Sequence, residues 1–158
     1  MRKISRKKED IKTYYLGIDP GAKGGFALLH DTTLEFAYDF DKGKFLDIVT
    51  TLAKEQEATR CCLERVHAMP NQGSVSMFSF GESYGWLRGV LEACEVSYQT
   101  VEPRKWKAEF GLNSDKNKSI EVAKQLFPSI QLIPPGCRKP HDGIAESAIL
   151  AEYARRKL

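Results

Sequence analysis

The order of hydrophobic patterns along the chain, βββαβαβαα, predicts an α/β fold with a mixed five-stranded sheet flanked by helices. Three observations lead there. Two apolar runs, Tyr14–Asp19 and Gly24–Leu29, are joined by a short turn through Pro20 and Gly21 and read as a hairpin. A third run, Leu34–Tyr38, follows after another short turn and extends an antiparallel meander. The fourth, Arg60–Glu64, arrives after a helical pattern, so a right-handed crossover lays it parallel to the first.

The elements between follow from their punctuation. Asp41 is placed to cap a helix running to about Glu57, with Phe45, Ile48, Val49 and Leu52 on one face. The polar, glycine-bearing stretch from Val66 to Ser79 reads as a loop, followed by a helix from about Phe80 to Cys94. Ser97–Val101 is the fifth strand and ends before Pro103. Ser114 is placed to cap a helix reaching Phe127, where Pro128 stops it. A proline-rich loop through Ile133 and Pro140 leads into the last helix, Asp142 to about Arg156.

A chain of 158 residues, 42% hydrophobic and 28% charged, suits one compact domain, here 13–158. Residues 1–12 form a basic arm with six basic and two acidic residues, +4 against a whole-chain +3. The arm reads either as a disordered solubilising tail or as a contact for a polyanion. It has no apolar stretch typical of a secretory signal, and no run approaches a membrane span. The expected place of action is therefore the cytoplasm or a nucleoid, with no secretion and no membrane partner. The four cysteines form no CxxC pair, which points to reduced thiols rather than zinc or disulfides. Cys61 and Cys62, adjacent on a strand, should face opposite sides.

Four carboxylates carry the chemistry. Asp19 ends the first strand and Glu64 the fourth. If those strands are parallel neighbours, both acids stand at their carboxyl ends, the edge where open α/β sheets bind ligands. Asp142 and Glu146 are four residues apart and share one helix face. Ala145 and Ala148 are small enough to bring that helix close to the strand ends. Four carboxylates in one place repel unless cations hold them. Hard oxygen ligands select Mg²⁺, with Mn²⁺ as substitute, and two such ions about 3.5–4 Å apart suit phosphodiester hydrolysis. Taken singly, each acid also reads as a turn, surface or helix-capping residue; their joint placement is the signal.

With these residues in view, the chain resembles the RuvC-type Holliday junction resolvases of the ribonuclease H-like superfamily. Gly17-Ile-Asp-Pro-Gly resembles the family's first-strand motif, Leu63-Glu64 its second acid, and Asp142-Gly-Ile-Ala-Glu-Ser-Ala its terminal helix. Bacterial members carry their last two acids three apart. The spacing of four with Glu last looks more like the phage, organellar and viral branches, and Pro134-Pro-Gly also departs from the bacterial pattern.

The resemblance implies a ribonuclease H-like sheet in the order 3-2-1-4-5. It implies Asp19, Glu64, Asp142 and Glu146 as the catalytic, metal-binding set, with two Mg²⁺ per site and no small-molecule cofactor. It also implies a homodimer acting on four-way junction DNA by paired nicks that leave 5′-phosphate and 3′-hydroxyl ends. Alternatives are another ribonuclease H-like nuclease, acting on RNA–DNA hybrids or branched DNA, and a non-catalytic junction-binding protein. No second Asp-Gly phosphate hairpin appears, which counts against a lobe of an actin-like ATPase.

Candidate DNA contacts follow. Residues 104–124 carry net +3, with Lys105, Lys107, Lys116 and Lys118 as phosphate contacts or solvated lysines. Trp106 reads as a packing anchor between Lys105 and Lys107, with base stacking as the alternative. Lys139 lies just before Asp142, and Lys23 follows the first acid's turn. His141 reads as a helix cap or as a proton-transfer group. In the Val66–Ser79 stretch, Gln72 and Phe78 are the resemblance's candidates for the junction centre, although Phe78 and Phe80 also suit core packing. Gly81, Gly85 and Gly89 recur at spacing four and would admit a close helix neighbour, within the chain or across a dimer.

Overall fold

The computed structural model describes residues 12–55 and 57–158. The basic arm, apart from Lys12, lies outside the described residues.

Strands β1 (Thr13–Asp19), β2 (Gly25–His30), β3 (Thr33–Asp39), β4 (Ala58–Glu64) and β5 (Ser97–Val101) form one sheet in the order β3-β2-β1-β4-β5. β1 pairs antiparallel with β2 and parallel with β4, and β5 is parallel to β4. The expected α/β architecture and strand order are both observed.

The sheet has two buried faces, and strand alternation sorts residues between them. Leu16, Ile18, Phe26, Leu28, Cys61 and Leu63 pack under α1 (Lys42–Lys54) and α2 (Ser74–Ala93), against Phe45, Val49, Leu87 and Leu91. On the opposite face Cys62 joins Ala145, Ile149 and Leu150 of α5 (Asp142–Lys157), Trp106 of α3 (Pro103–Glu109) and Ala123 of α4 (Lys116–Leu126). Cys61 and Cys62 thus fall into separate cores, and all four cysteines are free thiols.

Asp41 caps α1 by accepting from the Lys44 N–H at 2.8 Å. Three details differ from the sequence expectation. α2 begins at Ser74 rather than Phe80, because its first turns run past the core with an exposed face on which serines cost nothing. α3 is a short helix in a stretch to which the sequence pattern assigns no element: Pro103 ends the strand and also starts a helix, its fixed φ suiting the first helical position. The cap of α4 is Asp115, one residue after Ser114, accepting from the Asn117 N–H at 3.0 Å.

α5 lies directly on the sheet because three glycines leave it room. A Cβ on Gly17 of β1 would come within 2.1 Å of the Ser147 carbonyl oxygen. One on Gly143 would come within 2.4 Å of the Lys23 carbonyl oxygen, and one on Gly25 within 2.6 Å of the Gly143 oxygen. Backbone therefore touches backbone where the helix begins, and the first turns of α5 are held at the β1–β2 turn. Ala145 and Ala148, the small residues expected to allow this approach, are fully buried in it, and the glycines add the closest backbone contacts.

Candidate metal centre

Three of the four expected acids converge. Carboxylate oxygens of Asp19, Glu64 and Glu146 lie within 4.8 Å of one another. The sheet supplies the first two. The β1–β4 register pairs Ile18 with Leu63, so Asp19 and Glu64 are the next residues on adjacent parallel strands. Asp19 alternates with Gly17, and Glu64 with Cys62, so both side chains emerge on the α5 side. Glu146, one turn into α5, reaches them from above.

The cluster is largely shielded from water: Asp19 is 9% exposed and Glu146 2%. Asp142 stands at the rim, its side chain 39% exposed. Burial, with Glu64, Glu146 and Asp142 close by, pushes the Asp19 carboxyl up to about 9, although Lys116 pulls the other way. Burial also raises Glu64, against the lowering effect of a hydrogen bond from Trp106.

Lys116, expected to face DNA, projects into this group. Its ammonium lies 3.1 and 3.2 Å from the two oxygens of Glu146 and 3.3 Å from Asp142 Oδ2. One lysine thus contacts two of the four carboxylates. Ser119, one turn further along α4 and fully buried, donates to Glu146 Oε1 at 3.2 Å. The Trp106 indole N–H donates to Glu64 Oε2 at 2.8 Å. Sequence reasoning missed Ser119 and the polar role of Trp106. A Lys-x-x-Ser pattern opening a helix was the available signal for the first, because i and i+3 share a face.

The remaining candidates are placed as follows. His141 is the N-cap of α5, with Nδ1 accepting from the Ile144 N–H. Lys23, Lys105, Lys118 and Lys139 are exposed and Lys107 half-buried, and none forms an ion pair among the described residues. Lys107 lies over the Trp106 ring, 5.4 Å from its centroid. Gln72 and Phe78 are exposed, Phe78 at 69%, on the loop and first turn that follow β4. Phe80 instead stacks on Tyr84, so the two phenylalanines divide between solvent and protein.

No family model matches the sequence, and no curated protein does. Solved structures do match. The chain superposes on Thermus thermophilus RuvC in complex with a Holliday junction substrate with a TM-score of 0.62, at 13% identity, over 91% of this chain and 96% of that one. A second Thermus thermophilus RuvC structure matches with a TM-score of 0.55, also at 13% identity, over 90% and 93%. The chain has a RuvC-like fold.

The residues at the RuvC-like sheet edge fit a divalent cation. The donors are all hard carboxylate oxygens, which suit Mg²⁺ or Mn²⁺ rather than zinc. The acids outnumber the one lysine in contact with them, and burial, together with the neighbouring carboxylates, raises the Asp19 carboxyl. Asp19, Glu64 and Glu146 are the residues that would hold the ion.

Proposed function

We propose that this protein is a metal-dependent, structure-specific endonuclease that resolves four-way DNA junctions. The observation that carries this reading is the convergence of Asp19, Glu64 and Glu146 at the strand ends of a RuvC-like sheet. One of the superposed RuvC structures is itself a complex with a Holliday junction substrate.

When bound, Mg²⁺ at these carboxylates would activate water and stabilise the charge that develops on the scissile phosphate. The protein's own groups do the rest. Asp19 and Glu64, fixed by the β1–β4 register, and Glu146, fixed by α5, present oxygens from two sides. Asp142 at the rim is the fourth acid and faces the side from which DNA arrives. Lys116, beside Asp142 and Glu146, would offer its ammonium to the phosphate if a bound cation took over the charge of those acids. The exposed lysines Lys23, Lys105, Lys118 and Lys139, with Lys107, supply charge for the backbone, so affinity falls steeply with salt. Phe78, apolar and exposed with Gln72 on the same segment, is the candidate to enter opened base pairs.

Resolution requires two matched nicks, and a junction is nearly two-fold symmetric. A C2 homodimer supplies two sites in that relation. Gly81, Gly85 and Gly89 of α2 meet nothing within 4 Å of their Cβ positions. Glycine inside an exposed helix costs roughly 1 kcal/mol relative to alanine. A second copy closing on this stripe gives those glycines a use. No described helix is long and apolar enough to cross a membrane; the proposed substrate places the protein in a DNA-bearing compartment, cytoplasm or nucleoid.

The test is cleavage of a fixed four-way junction, its matched linear duplex and an RNA–DNA hybrid, in Mg²⁺ or EDTA, by wild type and Asp142→Asn. The expected result is symmetric paired nicks on the junction only, abolished by EDTA and by the substitution. Junction binding without nicking would replace the nuclease reading with an architectural one. Preferential cleavage of the hybrid would make the protein a ribonuclease H.

A further inference from the structure

The four acids are not held alike. Glu146 and Asp142 are engaged by the charged Lys116. Glu64 takes a neutral donor: the Trp106 indole N–H meets Oε2 at 2.8 Å. Trp106 is fully buried and belongs to the core cluster that contains Cys62, Val101 and Tyr153. It stands in the middle of α3, a helix of seven residues that immediately follows β5. The indole is thus fixed by packing, and through it one oxygen of a flexible side chain is fixed too. No other side-chain donor reaches the Glu64 carboxylate among the described residues.

A neutral donor behaves differently from a charged one at such a site. Lys116 carries the same sign of charge as an arriving cation and would compete with it for Glu146 and Asp142. An indole N–H carries no net charge, can donate but not accept, and has no reason to leave. Held this way, the Glu64 carboxylate is fixed in orientation through Oε2, and Oε1 has no side-chain donor among the described residues.

We propose that Trp106 is a positioning residue for the metal centre: its N–H holds Oε2 of Glu64 and so fixes the orientation in which this carboxylate meets the cation. This rests on the metal-site reading given above. It assigns the only fully buried tryptophan a role beyond core packing. Donors behind a metal ligand typically govern 10–100-fold in metal affinity or activity.

The test reads metal binding without DNA. Mn²⁺ affinity is measured by the electron paramagnetic resonance of free Mn²⁺, on wild type, Trp106→Phe, Glu64→Ala and the double variant. Phenylalanine keeps an aromatic ring in the core and removes the N–H. Trp106→Phe is expected to weaken Mn²⁺ binding about 10-fold or more. In the Glu64→Ala background the same change is expected to matter less than about twofold, because the partner is gone. A further variant carries 3-benzothienylalanine at position 106, which preserves ring size without the N–H and should reproduce the phenylalanine loss. Unchanged affinity in Trp106→Phe, an equal loss in both backgrounds, or wild-type affinity in the benzothienyl variant would overturn the proposal and leave the metal site standing. No saturable Mn²⁺ binding by wild type would overturn the metal site itself, and this role with it.

Discussion

Two buried glutamates on the same helix, Glu146 and Glu152, have opposite surroundings. Glu152 is gripped by Arg155, with contacts including 2.6 Å, and by Arg156 at 2.9 Å. Although burial opposes it, these arginines hold the Glu152 carboxyl below the usual range. Arg156 and Lys157 also reach Glu109, so this end of α5 has cations in plenty. Glu146 shares a single lysine with Asp142 and adjoins two further acids. The C-terminal end of α5 is a balanced ionic network that needs no ligand. The N-terminal end gathers four acids around a single contacting lysine, and that surplus of acids over cations distinguishes a site from a structural ion pair.

The largest expected effect separates the two glutamates directly. Glu146→Gln should cut Mg²⁺-dependent junction nicking by on the order of 10³-fold, since a bound metal supplies several kcal/mol of transition-state stabilisation. Glu152→Gln should leave nicking nearly unchanged and instead lower stability by about 1–3 kcal/mol, through arginines left without their partner. Nicking rates and denaturant midpoints on both variants check this. Comparable loss of nicking in the two would erase the distinction.

The second effect is one of pH. In the metal-free protein the Asp19 carboxyl is raised to about 9 from an ordinary 3.8. Between those values the folded state binds a proton that the unfolded chain lacks. That contribution to stability is complete below about 3.8 and is lost as pH rises toward 9. Asp19→Asn cannot ionise, so in EDTA it should melt higher than wild type at pH 8 to 9, by about 1 kcal/mol or more. The gap should close as pH falls toward 4. Thermal melts across that range decide it, and a gap independent of pH would contradict the electrostatic account.

A smaller effect concerns Lys116. Lys116→Gln removes the one cation of the cluster and should destabilise the metal-free protein by about 1 kcal/mol. Saturating Mg²⁺ should largely erase the difference, because the ion replaces the lost charge. Melting temperatures with and without Mg²⁺ measure this, and a deficit that persists in Mg²⁺ would mean that Lys116 supports packing rather than charge balance.

Much of this was legible in one dimension. Alternating apolar runs gave the strands, and short turns made β1, β2 and β3 a meander. The helix between β3 and β4 requires a parallel crossover, so chain connectivity alone makes Asp19 and Glu64 neighbours. Helical spacing put Asp142 and Glu146 on one face. These are local periodicities and chain-connection rules, which a sequence carries in full. Contacts between distant segments were not legible. Lys116 bonds Glu146 across thirty residues, and Trp106 bonds Glu64 across forty-two. A lysine in a basic segment looks like a DNA contact until α4 packs on α5, and a tryptophan between two lysines looks like a packing anchor. The sequence by itself determined which acids exist, which strand ends carry Asp19 and Glu64, and that Asp142 and Glu146 share one helix face. Only the tertiary structure decided which neutral or charged donor meets each acid, because that depends on how helices α3, α4 and α5 are seated on the sheet, and no local pattern encodes that seating.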